Sequence, residues 1–205
     1  MKGKMLLGLT AILMLTGAAV PVKADDVWKF DAQRFVLKEY TGTETDVVVP
    51  DTMDEGVPVK RLGTQLLAGS ETLTSVVVPD SVTILDVGAL SYDNNLSEIT
   101  LSSNLINIGW NAISSNDALT ELTIPASVCI IDSYAVSGCY ALKKIVFEGA
   151  CPLIGSEAFV MLSDDVVIYV PDDQIEEYKK VFEENNKNLN IQPSGKPAVL
   201  YSAED

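Results

Sequence analysis

A spacing of 23 residues constrains this chain more than any other feature. Leu73, Leu96, Leu119 and Leu142 keep that interval. So do Val76, Ile99, Leu122, Ile145 and Ile168, and, two residues on, Val78, Leu101, Ile124, Phe147 and Val170. Later in each unit come Leu85, Ile108, Ile131 and Ile154, then Ala89, Ala112, Ala135 and Ala158, then Leu90, Ile113, Val136 and Phe159. An earlier copy, Val47-Val48-Val49-Pro50, stands 29 residues before Val76-Val77-Val78-Pro79, and the insertion between them holds Asp54-Glu55-Gly56, a loop composition. A unit this short cannot cover its own apolar side chains. Stacking on its neighbours buries them, and each fully buried aliphatic contributes about 1.5–3 kcal/mol.

The period therefore predicts a solenoid. In each unit Val-x-Val alternates inward and outward, as a short strand does. Pro50, Pro79, Pro125 and Pro171 follow, and a residue without an N–H marks where the ladder ends. The next apolar pair, such as Val82 and Leu85, turns the chain back under the strand. The position after it is Gly63, Asp86, Gly109, Asp132 or Gly155, residue types that tolerate a left-handed backbone and close turns. Six strands about 4.8 Å apart would make a parallel sheet roughly 24 Å across.

Before the repeats, Lys2 and Lys4 precede an apolar run from Met5 to Val20, Pro21 breaks it, and Val22-Lys23-Ala24 offers a cleavage site. This reads as a signal peptide, with a mature chain starting at Asp25. The run is interrupted by Gly8, Thr10, Thr16 and Gly17 and falls short of the ~20 residues of a membrane-spanning helix. Loss of residues 1–24 leaves 11 Lys+Arg against 29 Asp+Glu, a formal charge of −18. A surface so acidic repels phosphate backbones and anionic lipids, which argues against nucleic acid and membrane partners.

The consensus L-x-x-V-x-V-P-x-S-V-x-x-I-x-x-x-A-(F/L) on a 23-residue period resembles the bacterial BspA-like, or Treponema pallidum-type, leucine-rich repeats. The likeness spans about residues 34–193. It includes Tyr40-Thr41-Gly42 and Gly56-Val57-Pro58-Val59 before the regular units, and Ile168-Tyr169-Val170-Pro171 with a helix holding Glu177-Tyr178-Lys179 after them. Leu66 for Ala, Ser102 for Pro and Glu148 for Pro depart from the pattern in single units. The resemblance implies an exported or surface-displayed protein with a role in adhesion or protein recognition. The expected fold is a leucine-rich repeat solenoid of about six 23-residue coils with a short parallel sheet, an N-terminal strand cap and a C-terminal helix cap. The expected divisions are a signal peptide at 1–24, an N-terminal cap at 25–45, repeats at 46–171, a capping helix and strand at 172–193, and a flexible tail at 194–205. Asp172 or Asp173 is expected to cap this helix, with Glu176 three residues after Asp173 completing a capping-box-like pair, and Ile175, Tyr178, Val181 and Phe182 share one face.

Catalytic chemistry finds little to stand on. The chain has no His, so Ser-His-Asp and Cys-His nucleophiles are excluded. The acid pairs Asp164-Asp165, Asp172-Asp173, Glu176-Glu177 and Glu183-Glu184 are sequence neighbours on loops or a polar helix face, unlike two carboxylates facing across a sugar. No phosphate loop, dinucleotide fingerprint or EF-hand loop occurs. The expectation is no enzyme, no cofactor and no metal. Cys139 shares a slot with Ser70, Asp93 and Asn116 and is expected buried. Cys151 falls in a core slot, and Cys129 points outward. A Cys129–Cys151 bridge would join adjacent coils, but their slots differ by one and their side chains diverge, so no disulfide is expected.

Binding is expected on the outward strand positions. One column is Val48, Val77, Thr100, Thr123, Val146 and Tyr169; the other is Ser75, Glu98, Glu121, Lys144 and Val167. Val and Thr also suit strands for their own sake. The candidate sheet-face residues are Val77, Glu98, Thr100, Glu121, Thr123, Lys144, Val146 and Tyr169, with Trp110 as a second candidate on the convex side. The sequence thus points to a secreted or cell-surface, non-enzymatic protein-binding or adhesion module, monomeric, with a protein partner on a host or cell surface. The competing readings are a structural spacer of a surface assembly and, last, a carboxylate-based hydrolase.

Overall fold

The computed structural model describes residues 27–53, 55–185 and 189–199. The signal segment 1–24 and the last residues of the tail lie outside these. The chain forms the expected leucine-rich repeat solenoid, and each regular coil carries two short strands rather than one. The front strands are Asp46–Val48, Ser75–Val77, Glu98–Thr100, Glu121–Ile124, Lys144–Phe147, Val167–Val170 and Asn190–Pro193. They pair in parallel as a three-stranded and a four-stranded sheet, and Glu98–Thr100 and Glu121–Ile124 run side by side where the two meet. The seventh strand adds one rung to the six expected, because Ile191 stands 23 residues after Ile168 and pairs with it.

The back strands are Arg61–Leu62, Ile84–Leu85, Asn107–Ile108, Ile130–Ile131 and Leu153–Ile154, all parallel, with Leu62, Leu85, Ile108, Ile131 and Ile154 in register. At the N-terminal end the antiparallel hairpin of Trp28–Asp31 and Val36–Tyr40 joins the same sheet through Leu37 and Leu62. The apolar columns read from the period are the core: Leu96, Val76, Leu85, Ala89, Leu90 and their counterparts one coil on are buried.

Left-handed backbone does not fall on Gly63, Gly109 or Gly155. It falls two residues later, at Gln65, Gly88, Asn111, Tyr134 and Glu157, and again at Gly69, Tyr92, Ser115, Gly138 and Met161, two columns in phase with the repeat. The glycine at 109 answers a different need. A Cβ there would stand 2.6 Å from the Leu85 carbonyl oxygen of the previous coil, closer than any real contact. Gly109→Ala is therefore expected to push two coils apart and cost roughly 1–3 kcal/mol, read as a lower urea midpoint. An unchanged midpoint would refute the steric account.

A polar ladder runs through the loop slot. The Ser70 amide donates to Asp93 Oδ1 at 2.5 Å, and the Asp93 amide donates to Asn116 Oδ1 at 3.0 Å. Asn116 Nδ2 donates to the Leu90 and Ile113 carbonyls at 2.8 and 2.9 Å, and the Cys139 thiol donates to the Ile113 carbonyl at 3.3 Å. Asp93, Asn116 and Cys139 are buried. Each side chain thus answers backbone groups that the turn leaves unpaired, as buried polar groups require.

At the C-terminal end the helix Ile175–Asn185 takes the place of a back strand. Tyr178 and Phe182 are fully buried against Phe147 and Phe159, with ring centroids 4.9–6.3 Å apart. The Tyr178 hydroxyl donates to the Gly149 and Ala150 carbonyls at 3.2 and 3.3 Å. The carboxylates of Asp172 and Asp173 do not cap the helix. They accept from the Gly195 and Ala198 amides, both at 2.8 Å. With the Ser194 amide on Val170 and the Val199 amide on Glu148, they hold residues 194–199 on the last coils.

Candidate functional site

The front strands turn one set of side chains to solvent because side chains alternate and their inner half is committed to the core. Val77 stands opposite Thr100, and Thr123, Val146 and Tyr169 stand in one line. Beside them Glu98 lies opposite Ser75, and Glu121, Lys144 and Val167 form a second line. Val77, Glu98, Thr100, Glu121 and Thr123 are exposed, while Lys144, Val146 and Tyr169 are half-buried. The structure thus gathers all eight sheet-face candidates on one surface.

Its electrostatics are local. Lys144 Nζ reaches Glu121 Oε2 at 2.9 Å, an exposed pair of little energetic weight. At the N-terminal end of the same face, Asp46 accepts hydrogen bonds from the Ser75, Thr45 and Thr74 hydroxyls, which hold its carboxyl below the usual range. With Glu121 paired to Lys144, Asp46 and Glu98 leave the face acidic beside its Val and Thr strip.

Trp110 does not belong to this surface. It follows a back strand, is 47% exposed, and meets the Tyr134 ring edge-on at 6.2 Å. The back sheet also exposes apolar side chains that the period did not single out. Ile130 and Leu153 lie there, with Ile106 just before a back strand, and Leu153 is 74% exposed. Their only sequence signal is an aliphatic residue in two neighbouring slots, one holding Thr83 before Ile106 and the other Asn107 before Ile130 and Leu153.

The paired acids at 164–165, 172–173, 176–177 and 183–184 are all exposed. Among the described residues no cluster of three His, Cys, Asp or Glu is placed to hold a metal ion. All three cysteines are free thiols. Burial pushes the Cys139 thiol up to about 11 and the Cys151 thiol up to about 12, Glu177 adding to the latter, so neither is a nucleophile near neutral pH. Cys151 is half-buried rather than fully in the core, and Cys129 is exposed. No helix among the described residues is long and apolar enough to cross a membrane.

The comparisons with known proteins agree with this geometry. The family described as BspA type Leucine rich repeat region matches residues 60–190 in 6 copies. A leucine-rich repeat protein from Bacteroides capillosus is 34% identical, over 60% of this chain and 93% of its own, with a TM-score of 0.51. The leucine rich repeat protein of T. pallidum is 21% identical over 82% of this chain and 99% of its own, with a TM-score of 0.51. A leucine rich cell surface protein from Faecalibacterium prausnitzii is 22% identical over 84% of this chain and 39% of its own, with a TM-score of 0.54. At those identities the last two share the fold alone. No curated protein matches the sequence. The period, the stacked front and back strands and the match to the family lead to one statement: the chain belongs to the BspA-type leucine-rich repeat proteins.

Proposed function

We propose that this protein is exported and acts without catalysis, as a module that binds another protein through its front sheet face. The supporting observation is the outward column of Val48, Val77 and Thr100 on one front sheet, continued by Thr123, Val146 and Tyr169 on the sheet beside it, next to Asp46, Glu98 and Glu121. Repeat proteins commonly bind partners on such extended surfaces. Small apolar and hydroxyl side chains with an acidic margin suit a partner that sets Lys or Arg around a shallow apolar strip. The signal-like leader and the likeness to a cell surface protein support placement outside the cell, where adhesion is the natural use.

Affinity capture with the parent chain and with the triple variant Glu121→Ala, Thr123→Ala, Tyr169→Ala tests the face. A partner carrying a basic surface should be held by the parent and lost by the variant, and the parent's binding should weaken as salt rises. Equal capture by both removes the front face from consideration. A chain that captures nothing from cell-surface proteins behaves as the spacer of a surface assembly.

A further inference from the structure

The chain has two arginines, Arg34 and Arg61. They are out of phase with the repeat, yet both line one cavity of about 700 Å3, with Phe35, Lys38, Thr64 and Asp86 in its walls. The turn of the N-terminal hairpin brings them together. Phe35 holds a left-handed backbone with φ 57°, and its carbonyl accepts from the Lys60 and Arg61 amides at 2.9 and 3.1 Å. The Phe35 side chain is 42% exposed.

The charges there are unbalanced. Lys38 pairs with Asp31 at 2.6 Å, and Arg61 gives one guanidinium nitrogen to Asp86 at 2.5 Å. Arg61 Nε is buried without an acceptor. The Arg34 guanidinium makes no ion pair among the described residues. Guanidinium groups only donate, so the wall offers donors in excess of acceptors. The rest of the molecule sharpens this contrast, since residues 62–142 hold eight acids and no Lys or Arg. An anion is repelled along the middle of the solenoid and drawn to this end.

The cavity is wide open to solvent, and its volume is enough for a small molecule. After the two ion pairs are formed, about one positive charge is left over, which suits a monoanion better than a doubly charged phosphate. A carboxylate matches the planar guanidinium fork. We propose that this cavity binds a small organic carboxylate whose charged end meets Arg34 and Arg61 and whose apolar body rests on Phe35. The site is separate from the front face, and it stands or falls without the function proposed above.

With only two arginines, the protein supplies two Nε–Hε resonances, and both report on the cavity. Benzoate titrated into the intact chain should shift both resonances saturably, while uncharged benzamide should leave them in place. Arg34 is exposed, so Arg34→Gln should fold as the parent does and weaken benzoate, read at Arg61, by about tenfold. Phe35→Ala should weaken benzoate and leave inorganic phosphate unaffected. Resonances unmoved by benzoate, or moved equally by benzamide, would overturn the site. Inorganic phosphate binding as tightly as benzoate would overturn the assignment of a carboxylate with an apolar body.

Discussion

Asp93→Asn is expected to raise the unfolding temperature at pH 8 by roughly 5–10 °C and to leave it nearly unchanged at pH 4, as a difference of a few kcal/mol would in a chain of this size. Asp93 is buried in the loop-slot ladder, and its Oδ2 finds no partner. One coil further on, the same slot holds Asn116, whose Nδ2 donates to two carbonyls. A carboxylate has no hydrogen to give there, and burial pushes the Asp93 carboxyl from its usual 3.8 up to about 7, against the opposing hydrogen bonds from the Ser70 and Gly69 amides. A raised acid contributes stability that is complete below the unfolded value and is lost as pH rises through the folded one, here between about 4 and about 7. Asp31, Glu44 and Asp46 act with the opposite sign. Their hydrogen-bonded carboxyls are lowered, so their contribution is present above the ordinary range and is lost in acid below it. Mutual repulsion among the other acids also grows with pH, and it is common to parent and variant. The informative quantity is therefore the difference between the two across pH 4–8. Curves that stay parallel over that interval would sink the account.

Phe182→Ala should be the most damaging single truncation, at about 3–5 kcal/mol. The side chain is 1% exposed and touches the rings of Phe147, Phe159 and Tyr178. Its loss unseats the helix that closes the last coil. Contacts in a solenoid reach only neighbouring coils, so the damage should be graded along the axis. Amide exchange should accelerate in the strands Lys144–Phe147 and Val167–Val170 and remain slow in Ser75–Val77. Uniform acceleration, or a cost under about 1 kcal/mol, would contradict a closing role for the aromatic cluster.

The aliphatic columns could be read from the sequence because each slot demands one property, and Leu73, Leu96, Leu119 and Leu142 all supply it. The left-handed column could not. Gln65, Gly88, Asn111, Tyr134 and Glu157 share no chemistry, and their backbone is imposed by stacking that no single unit displays. The back strands were hidden for another reason. Ile84–Leu85 and its relatives are two residues long, too short to show an alternation. The seventh front strand stayed in phase at Ile191, but an 11-residue helix interrupts its unit and masks the count. The face candidates were legible because alternation alone sorts inward from outward residues. The arginine cavity was not, since a hairpin outside the period brings Arg34 to Arg61.

The constant register between coils has a consequence for length. Leu62, Leu85, Ile108, Ile131 and Ile154 meet one after another through the same pairing. A block such as residues 93–115 therefore offers the same two surfaces to whatever lies above and below it. Duplication or excision of such a block at the level of the gene leaves the hairpin end and the helix end intact. Each added block moves them about 4.8 Å further apart. The architecture works as an adjustable ruler, with a cationic cavity at one end and an aromatic seal at the other.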